Sequence, residues 1–238
     1  KNVKIGHGSV IGYNCVIGDD VTIDNNTVIT NSIIAEHVHI GRNVSIGQHG
    51  FGFAIHNKSN VRTFHKGRVI LQAGVNIGSN CSIDRGSFSD TCIGENTFFD
   101  NLCHIAHNVV VGNNCIFAGM TGIAGSTNIG DNVMAGGQTG IAGHLNIGNN
   151  VKISHQAFLG DVEVKDNVII GAGVVFCNYD GKIHRNSIVE ENVFLGSGTM
   201  IISPIKIVPI PHFGHLLKKF KLFSLLISSP PINGEKQK

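Results

Sequence analysis

The sequence has no tryptophan, only 2 tyrosines and 5 prolines, and no long hydrophobic run among its 238 residues. Its formal net charge is +2 with the histidines neutral, so it lacks the broad basic field of nucleic-acid-binding proteins. No apolar stretch is long enough to span a bilayer, and no secretory signal is visible. The sequence therefore gives no reason to expect nucleic-acid binding or a transmembrane segment.

The dominant feature that is present is a repeat of six residues. From Ile5 onwards an apolar residue returns at every sixth position, commonly followed by Gly, Asn or Asp. A helix would need apolar residues at i, i+3, i+4 and i+7, which this pattern does not supply. Hexapeptide repeats are typical of a parallel β-helix, in which each repeat is a short inward-pointing strand and a turn that favours Gly or Asn. In the central stretch the repeat is unbroken at Phe99, Ile105, Val111, Phe117, Ile123, Ile129, Ala135 and Ile141.

The cysteines follow the same repeat. Four of the six lie four residues after the leading apolar residue, and there is no Cys-x-x-Cys pair. A shared position predicts a shared environment, so these are interpreted as small buried hydrophobes rather than as disulfide partners. A reducing cytoplasm is the expected location. The four residues are Cys15, Cys81, Cys103 and Cys115.

Interruptions of the repeat divide the chain. Residues 1–207 are expected to form one β-helix, with excursions at 47–68 and 177–188 and a register shift of one residue after Leu159. An excursion from a solenoid commonly lies on its binding face. The tail 208–238 has no repeat; a short helix that caps the last coil, a helix on a membrane surface and foreign sequence remain open.

Three polar side chains in the central stretch suggest a site. In known proteins of this kind three hexapeptides make one coil, so Gly125, eighteen residues after His107, should stack above it. His144 lies two coils and one residue further on, and Asp100 lies on the preceding face. A carboxylate can orient an imidazole, and a backbone N–H can stabilise an oxyanion. These are the parts needed for acyl transfer, although a surface histidine without a role remains the alternative.

The segments IDRGSFSDTCIGENTFFDNLCHIAHN, AGSTNIGDN and GGQTGIAGH resemble the UDP-3-O-(3-hydroxyacyl)glucosamine N-acyltransferases of the lipid A pathway, over about residues 1–150. The resemblance implies that His107 is the catalytic base, that Asp100 orients it, that Gly125 donates to the oxyanion and that His144 assists. It also implies a homotrimer of single-stranded left-handed β-helices with active sites between subunits. The implied reaction moves a 3-hydroxyacyl chain from acyl carrier protein to the 2-amine of a UDP-glucosamine, without a metal or a bound cofactor.

Residues 150–207 carry a second resemblance. KISHQAFLGD, NVIIGAG, CNYDGK and NVFLGS are similar to the acetyltransferase half of the bifunctional N-acetylglucosamine-1-phosphate uridyltransferase. This implies His155 as a base and Asn178 and Tyr179 as contacts for acetyl-coenzyme A or sugar. His155 lies forty-eight residues after His107, which predicts that the two histidines lie on different faces. The sequence departs from the pattern of this family at Phe158, Ile169 and His184.

Three other functions remain open. An acetyl-CoA-dependent amino-sugar acetyltransferase would use the second segment. A zinc enzyme similar to γ-class carbonic anhydrase would need three converging histidines; His104 and His107 are close, but a third is not evident. An inactive truncated or fused β-helix would explain why the family's N-terminal nucleotide-binding domain is not visible in the sequence.

Overall fold

The computed structural model describes residues 1–56, 59–177 and 186–209, with only the backbone of Cys177. These ranges contain short strands and no helix. The strands of the first half are β1 (Lys4–Ile5), β2 (Val10–Ile11), β3 (Val16–Ile17), β4 (Thr22–Ile23), β5 (Val28–Ile29), β6 (Ser32–Ile34), β7 (His39–Ile40), β8 (Ser45–His49), β9 (Phe53–His56), β10 (Ser59–Arg62), β11 (Val69–Leu71), β12 (Asn76–Ile77), β13 (Ser82–Arg85), β14 (Thr91–Ile93), β15 (Phe98–Phe99) and β16 (His104–Ile105).

The strands of the second half continue the same series. They are β17 (Val110–Val111), β18 (Ile116–Phe117), β19 (Gly122–Ile123), β20 (Asn128–Ile129), β21 (Met134–Ala135), β22 (Gly140–Ile141), β23 (Asn146–Ile147), β24 (Lys152–Ile153), β25 (Phe158–Leu159), β26 (Val162–Val164), β27 (Ile169–Ile170), β28 (Val175–Cys177), β29 (Ser187–Val189), β30 (Phe194–Leu195), β31 (Met200–Ile202) and β32 (Lys206–Ile207).

The chain winds through three parallel sheets of ten strands each. Successive strands enter sheets A, B and C in turn, so β15, β18, β21 and β24 are neighbours in sheet A, and β16, β19, β22 and β25 are neighbours in sheet B. Sheet C holds β17, β20, β23 and β26. The predicted all-β, left-handed parallel β-helix is confirmed.

The pairing of inward-facing residues between adjacent coils explains why a six-residue repeat gives this winding. Ile105 pairs with Ile123, and Ile123 with Ile141, one coil further on each time. All three are at most 2% exposed, so each coil buries a column of branched side chains at every wall. The predicted slip after Leu159 is also present, because Ile147 pairs with Val164 rather than with residue 165.

The turns have the backbone geometry that the sequence predicts. Among the described residues, 22 non-glycine residues have positive φ, and 13 of these are asparagines, including Asn108 with φ 61°. Asparagine tolerates this left-handed conformation better than other residues with a β-carbon. Short strands therefore alternate with turns at a fixed period, and the column positions stay in register.

Between β8 and β11 the chain leaves the β-helix. β9 and β10 form an antiparallel hairpin in this excursion. The second predicted excursion falls largely on residues 178–185, and most of the tail falls on 210–238. Both ranges lie outside the described residues, so the expectations for them remain predictions.

The cysteines behave largely as the repeat predicts. Cys81, Cys103 and Cys115 are buried, and every cysteine side chain in the described part of the chain is a free thiol. Cys15 is only partly buried, since it lies in the first coil, whose inward residues stack on one side only. No helix in the described ranges is long and apolar enough to cross a membrane.

Candidate active site

The turns that follow the sheet B strands β16, β19 and β22 stack into a column, here called the B corner (residues 106–109, 124–127 and 142–145). The amide of Ser126 donates to the carbonyl oxygen of His107 at 3.0 Å, and the amide of His144 donates to that of Gly125, also at 3.0 Å. These bonds fix the winding at this corner. His107 and Gly125 therefore lie on the same corner in adjacent coils, as their spacing predicts.

His107 and Gly125 touch directly. A β-carbon on Gly125 would lie 2.6 Å from Cε1 and 2.8 Å from Nε2 of His107, distances that real β-carbons essentially never show. A side chain at this position would displace the imidazole. The amide nitrogen of Gly125 donates no hydrogen bond within the described part of the chain. This N–H is therefore available to a ligand beside the His107 ring.

Asn108 determines which nitrogen of His107 carries the proton. Its Oδ1 accepts hydrogen bonds from the backbone N–H (3.0 Å) and the hydroxyl (2.5 Å) of Ser87. Its Nδ2 donates to the carbonyl oxygen of Ser89 at 3.2 Å and to the hydroxyl at 2.7 Å. A backbone N–H can only donate and a carbonyl can only accept, so the orientation of the Asn108 amide is fixed. The Nδ1 atom of His107, 3.0 Å from Oδ1, must therefore be protonated.

The consequence is a lone pair on Nε2 of His107. A neutral imidazole carries one proton, and here that proton lies on Nδ1. Nε2 is then an acceptor on the part of the ring that contacts Gly125. In its neutral form His107 therefore offers the acceptor that a general base needs.

The sequence pattern does not point to Asn108, although it belongs to the same IAHN motif. The reason is physical: asparagine is the commonest residue with positive φ in the described part of the chain, so Asn108 has the expected residue type for its turn. The signal that could have found it is its position directly after the proposed base.

Asp100 lies elsewhere. It follows β15 in sheet A, and the turns after β15, β18, β21 and β24 form a separate column, here called the A corner (residues 100–103, 118–121, 136–139 and 154–157). Its Oδ2 accepts from the amide of Gly119 at 3.1 Å, and its Oδ1 accepts from that of Asn101 at 2.7 Å. No hydrogen bond joins Asp100 to His107 in the described part of a single chain. The orienting role implied for Asp100 remains a prediction, and within one chain Asn108 makes the contact.

A different carboxylate lies near the base. Asp84 is only 5% exposed, accepts a hydrogen bond from Nε2 of Gln48 at 2.9 Å and lies 3.8 Å from Nε2 of His104. Burial raises the pKa of Asp84, while the charge of His104, the Gln48 bond and the charge of His107 oppose the shift. Asp84 thus places a shielded acid group 3.8 Å from His104 and near enough to His107 for the charges to interact. No pattern in the sequence points to it.

The excursion also reaches the B corner. The ring centroid of His65 lies 5.1 Å from that of His107, with an interplanar angle of 60°. His65 in turn lies 5.9 Å from His49 by the same measure. The excursion therefore lies beside His107, although no pattern related His65 or His49 to it; its place on the binding face remains a prediction.

His144 occupies the B corner at a left-handed turn position with φ 60°. It aligns with Ser126 and Asn108 rather than with His107, because it lies one residue after the position that stacks on His107 and Gly125. Its side chain is exposed and makes no hydrogen bond to a described residue. Its assisting role remains a prediction.

His155, the base implied by the second resemblance, lies at the A corner after β24. The two histidines are therefore on different corners, as predicted. Nδ1 of His155 accepts a hydrogen bond from the amide of Gly137 at 3.0 Å. Nδ1 must then be unprotonated, so the neutral ring carries its proton on Nε2 and presents a donor. Asn178 and Tyr179 lie outside the described residues.

The histidine-rich region does not form a metal cluster in a single chain. Within the described ranges, no three His, Cys, Asp or Glu side chains are grouped so that they could hold a metal ion.

A known family matches parts of the six-residue repeat. The family model "Bacterial transferase hexapeptide (six repeats)" matches residues 1–31 and 90–125. These two ranges make up less than a third of the chain. The two resemblances drawn from the sequence are confirmed over parts of the chain. The UDP-3-O-acylglucosamine N-acyltransferase of Methylorubrum extorquens is 52% identical over 64 residues, which are 27% of this chain and 18% of the relative.

The second curated relative is the bifunctional protein GlmU of Thermodesulfovibrio yellowstonii. It is 41% identical over 83 residues, which are 34% of this chain and 18% of GlmU. The hexapeptide-repeat chain therefore spans less than a fifth of the length of either relative.

Solved structures resemble the whole winding. The UDP-N-acetylglucosamine acyltransferase of Francisella novicida gives a TM-score of 0.54 at 18% identity, over 93% of this chain and 71% of that one. The enzyme of the same name from Campylobacter jejuni gives 0.50 at 20% identity, over 87% and 67%. At this identity the likeness shows a shared fold.

Proposed function

We propose that this protein is an acyltransferase that moves a 3-hydroxyacyl chain from acyl carrier protein to the 2-amine of a UDP-glucosamine derivative, with His107 as the general base. The observation that carries the proposal is the Asn108 contact, which leaves Nε2 of His107 unprotonated beside the unpaired amide of Gly125. Base and oxyanion donor are then adjacent, as acyl transfer requires. The similarity to UDP-3-O-acylglucosamine N-acyltransferase supplies the substrate class.

The reaction would proceed in two proton steps. The sugar amine attacks the thioester carbonyl, a C–N bond forms, and Nε2 of His107 takes the amine proton. The tetrahedral oxyanion accepts a hydrogen bond from the Gly125 amide. The C–S bond then breaks, and the protonated Nε2 returns its proton to the leaving sulfur. Asn108 keeps Nδ1 protonated throughout, so the imidazole can act as base and then as acid without a change of tautomer.

The outer face of sheet A supports a homotrimer as part of the proposal. Phe98, Ile116 and Met134 point outward on three successive strands and are 46–48% exposed. A column of large apolar side chains is typical of a surface that another chain covers. Subunits packed along such a face would border the cleft in which donor and acceptor meet, and the cytoplasm is the proposed location.

The His155 site is not proposed as a second active centre. Its Nδ1 lone pair is taken by the Gly137 amide, so its neutral ring presents an N–H where a base needs an acceptor. Acetyl-coenzyme A is therefore not proposed as the acyl donor, and it enters only as an alternative donor in the assay.

The test is an acyl-transfer assay with 3-hydroxyacyl-[acyl carrier protein] and a UDP-3-O-acylglucosamine acceptor. Wild-type protein should form the N-acylated product, and His107→Gln should lower kcat by roughly 10²- to 10⁴-fold, the usual contribution of a general base. His155→Gln should stay within about twofold of wild type, since the mechanism does not use it. Equal rates for wild type and His107→Gln, or product only with acetyl-coenzyme A, would refute the proposal.

A further inference from the structure

The excursion covers one edge of the proposed base. A β-carbon on Gly50 would lie 2.9 Å from both Cβ and Cδ2 of His107, and 3.1 Å from Nε2 of His65. Cδ2 is on the opposite edge of the imidazole from Nδ1, which Asn108 holds. The ring of His107 is thus enclosed by Asn108 on one edge, by Gly50 and His65 on the other, and by Gly125 from the next coil.

His65 is itself firmly placed. It is 3% exposed, and its Nδ1 lies 3.1 Å from the carbonyl oxygen of Thr63, to which it must donate. Its backbone N–H donates to Nδ1 of His49 at 3.2 Å. A buried ring with these two anchors has little freedom to turn, so it can act as a fixed wall.

We propose that His65 is a positioning residue for His107, holding the imidazole against Gly125 so that Nε2 keeps one direction during proton transfer. The inference rests on the proposed function, because it assigns His65 a part in the same reaction. Without the His65 ring, only the backbone of Gly50 would border the Cδ2 edge of His107, and rotation of the His107 side chain would break the Nδ1 contact to Asn108. A base displaced by about 1 Å from its productive position can lose on the order of 10²-fold in rate.

The charges around His65 keep this wall neutral. The groups that act on it are His107, His49 and Arg62, together with the Thr63 carbonyl, and no carboxylate of the described residues is among them. Burial is the main cause that lowers the pKa of His65 below its usual value, and the charge of His107 is the next. The hydrogen bond to the Thr63 carbonyl acts in the opposite direction. His65 therefore stays uncharged when His107 accepts a proton. As the pH falls through this lowered pKa, His65 becomes charged beside His107 and the packed arrangement loses stability.

The kinetic test uses a substitution that separates the effect of the His65 ring from that of its hydrogen bond to Thr63. His65→Asn places an amide N–H near the position of Nδ1 and can keep the Thr63 bond, but it removes the ring that faces His107. This variant should lose roughly tenfold to a hundredfold in kcat with KM within about twofold. His56→Asn, in the exposed strand β9 of the same excursion, is the matched control and should keep the wild-type kcat. Unchanged thermal midpoints would show that both variants fold.

The second readout does not need activity. In ¹⁵N-labelled wild-type protein, His65 should titrate below the ordinary histidine value of about 6.5, and His107→Gln should raise its pKa. In His65→Asn, the His107 signals should report a mixture of tautomers. The positioning role would be overturned if the pKa of His65 did not change in His107→Gln. It would also be overturned if His65→Asn kept the wild-type kcat and a single His107 tautomer. If instead the His65 pKa responds but acyl transfer survives His107→Gln, the proposed function fails while the contact stands.

Discussion

The B corner and the A corner carry the same backbone and a similarly placed histidine, yet they prepare opposite chemistry. At the B corner an asparagine oxygen holds Nδ1 of His107 and leaves a lone pair on Nε2. At the A corner a backbone amide occupies Nδ1 of His155 and leaves a proton on Nε2. In a β-helix, where every turn looks alike, the partner of Nδ1 decides whether a histidine can be a base.

Depth of enclosure is a second difference. His107 is partly buried beneath the excursion, near Asp84 and against Gly125, whereas His155 is exposed. An enclosed imidazole acts in a medium where electrostatic effects are stronger than in water. The two corners therefore differ in both tautomer and surroundings, and substitutions can test each difference separately.

The largest effect among these tests is expected from adding a methyl group at each corner. Gly125→Ala would place its β-carbon 2.6 Å from His107 and push the ring away, so we expect kcat to fall by roughly 10²-fold. The comparison variant is Gly137→Ala, whose β-carbon would lie 3.3 Å from the carbonyl oxygen of Gly119 and 3.8 Å from Nδ1 of His155. It should keep activity within about twofold. Equal losses in the two variants, measured by steady-state acyl transfer, would contradict the distinction between the corners.

A smaller effect is expected from removing the oxygen that sets the tautomer. Asn108→Gly keeps the left-handed turn, because glycine adopts φ near 61° without strain. We expect a roughly tenfold loss in kcat as His107 samples both tautomers, measured by steady-state kinetics. The control is Asn114→Gly, at a left-handed turn of the following repeat with φ 55°, and it should leave kcat unchanged.

Asn108→Asp sharpens the same point through pH. The carboxylate can still accept from Nδ1 of His107, but its negative charge favours the imidazolium form over the neutral base. The acid-side inflection of kcat/KM should therefore move to higher pH than in wild type. An inflection that stays in place would mean that His107 is not the group whose ionisation limits the rate.

The smallest effect concerns stability near the B corner. Burial raises the folded-state pKa of Asp84, so the folded protein binds more protons than the unfolded chain between the two pKa values. The stability contributed by Asp84 is therefore lost as the pH rises from about 4 through the raised pKa. Asp84→Asn should flatten this part of the profile of urea midpoint against pH. A profile identical to that of wild type would show that Asp84 ionises as freely as an exposed aspartate.

The sequence was sufficient for the fold because one physical rule repeats. Each inward residue must stack on its equivalent, so the period predicts Ile105, Ile123 and Ile141 in one buried column and Gly125 above His107. The separation of His107 from His155 follows from the same count. Even the shift after Leu159 was visible as one missing residue.

Contacts that do not follow the period could not be predicted in the same way. His65 comes from an excursion without a repeat, so nothing in the sequence indicates that it returns to His107. The resemblance assigns Asp100 to His107; within one chain the amide of Gly119 holds its carboxylate at the A corner, and the orienting role remains a prediction. The residue type of Asn108 gives no indication of its role, since asparagine is the commonest residue at left-handed turn positions among the described residues.

The central claim is that His107 presents an unprotonated Nε2 while His155 does not. The most direct measurement is the ¹⁵N chemical shifts of both rings in the intact protein, at a pH where both are neutral. We expect His107 to carry its proton on Nδ1 and His155 to carry its proton on Nε2. A His107 ring protonated on Nε2, or the same tautomer at both corners, would contradict the assignment of His107 as the base.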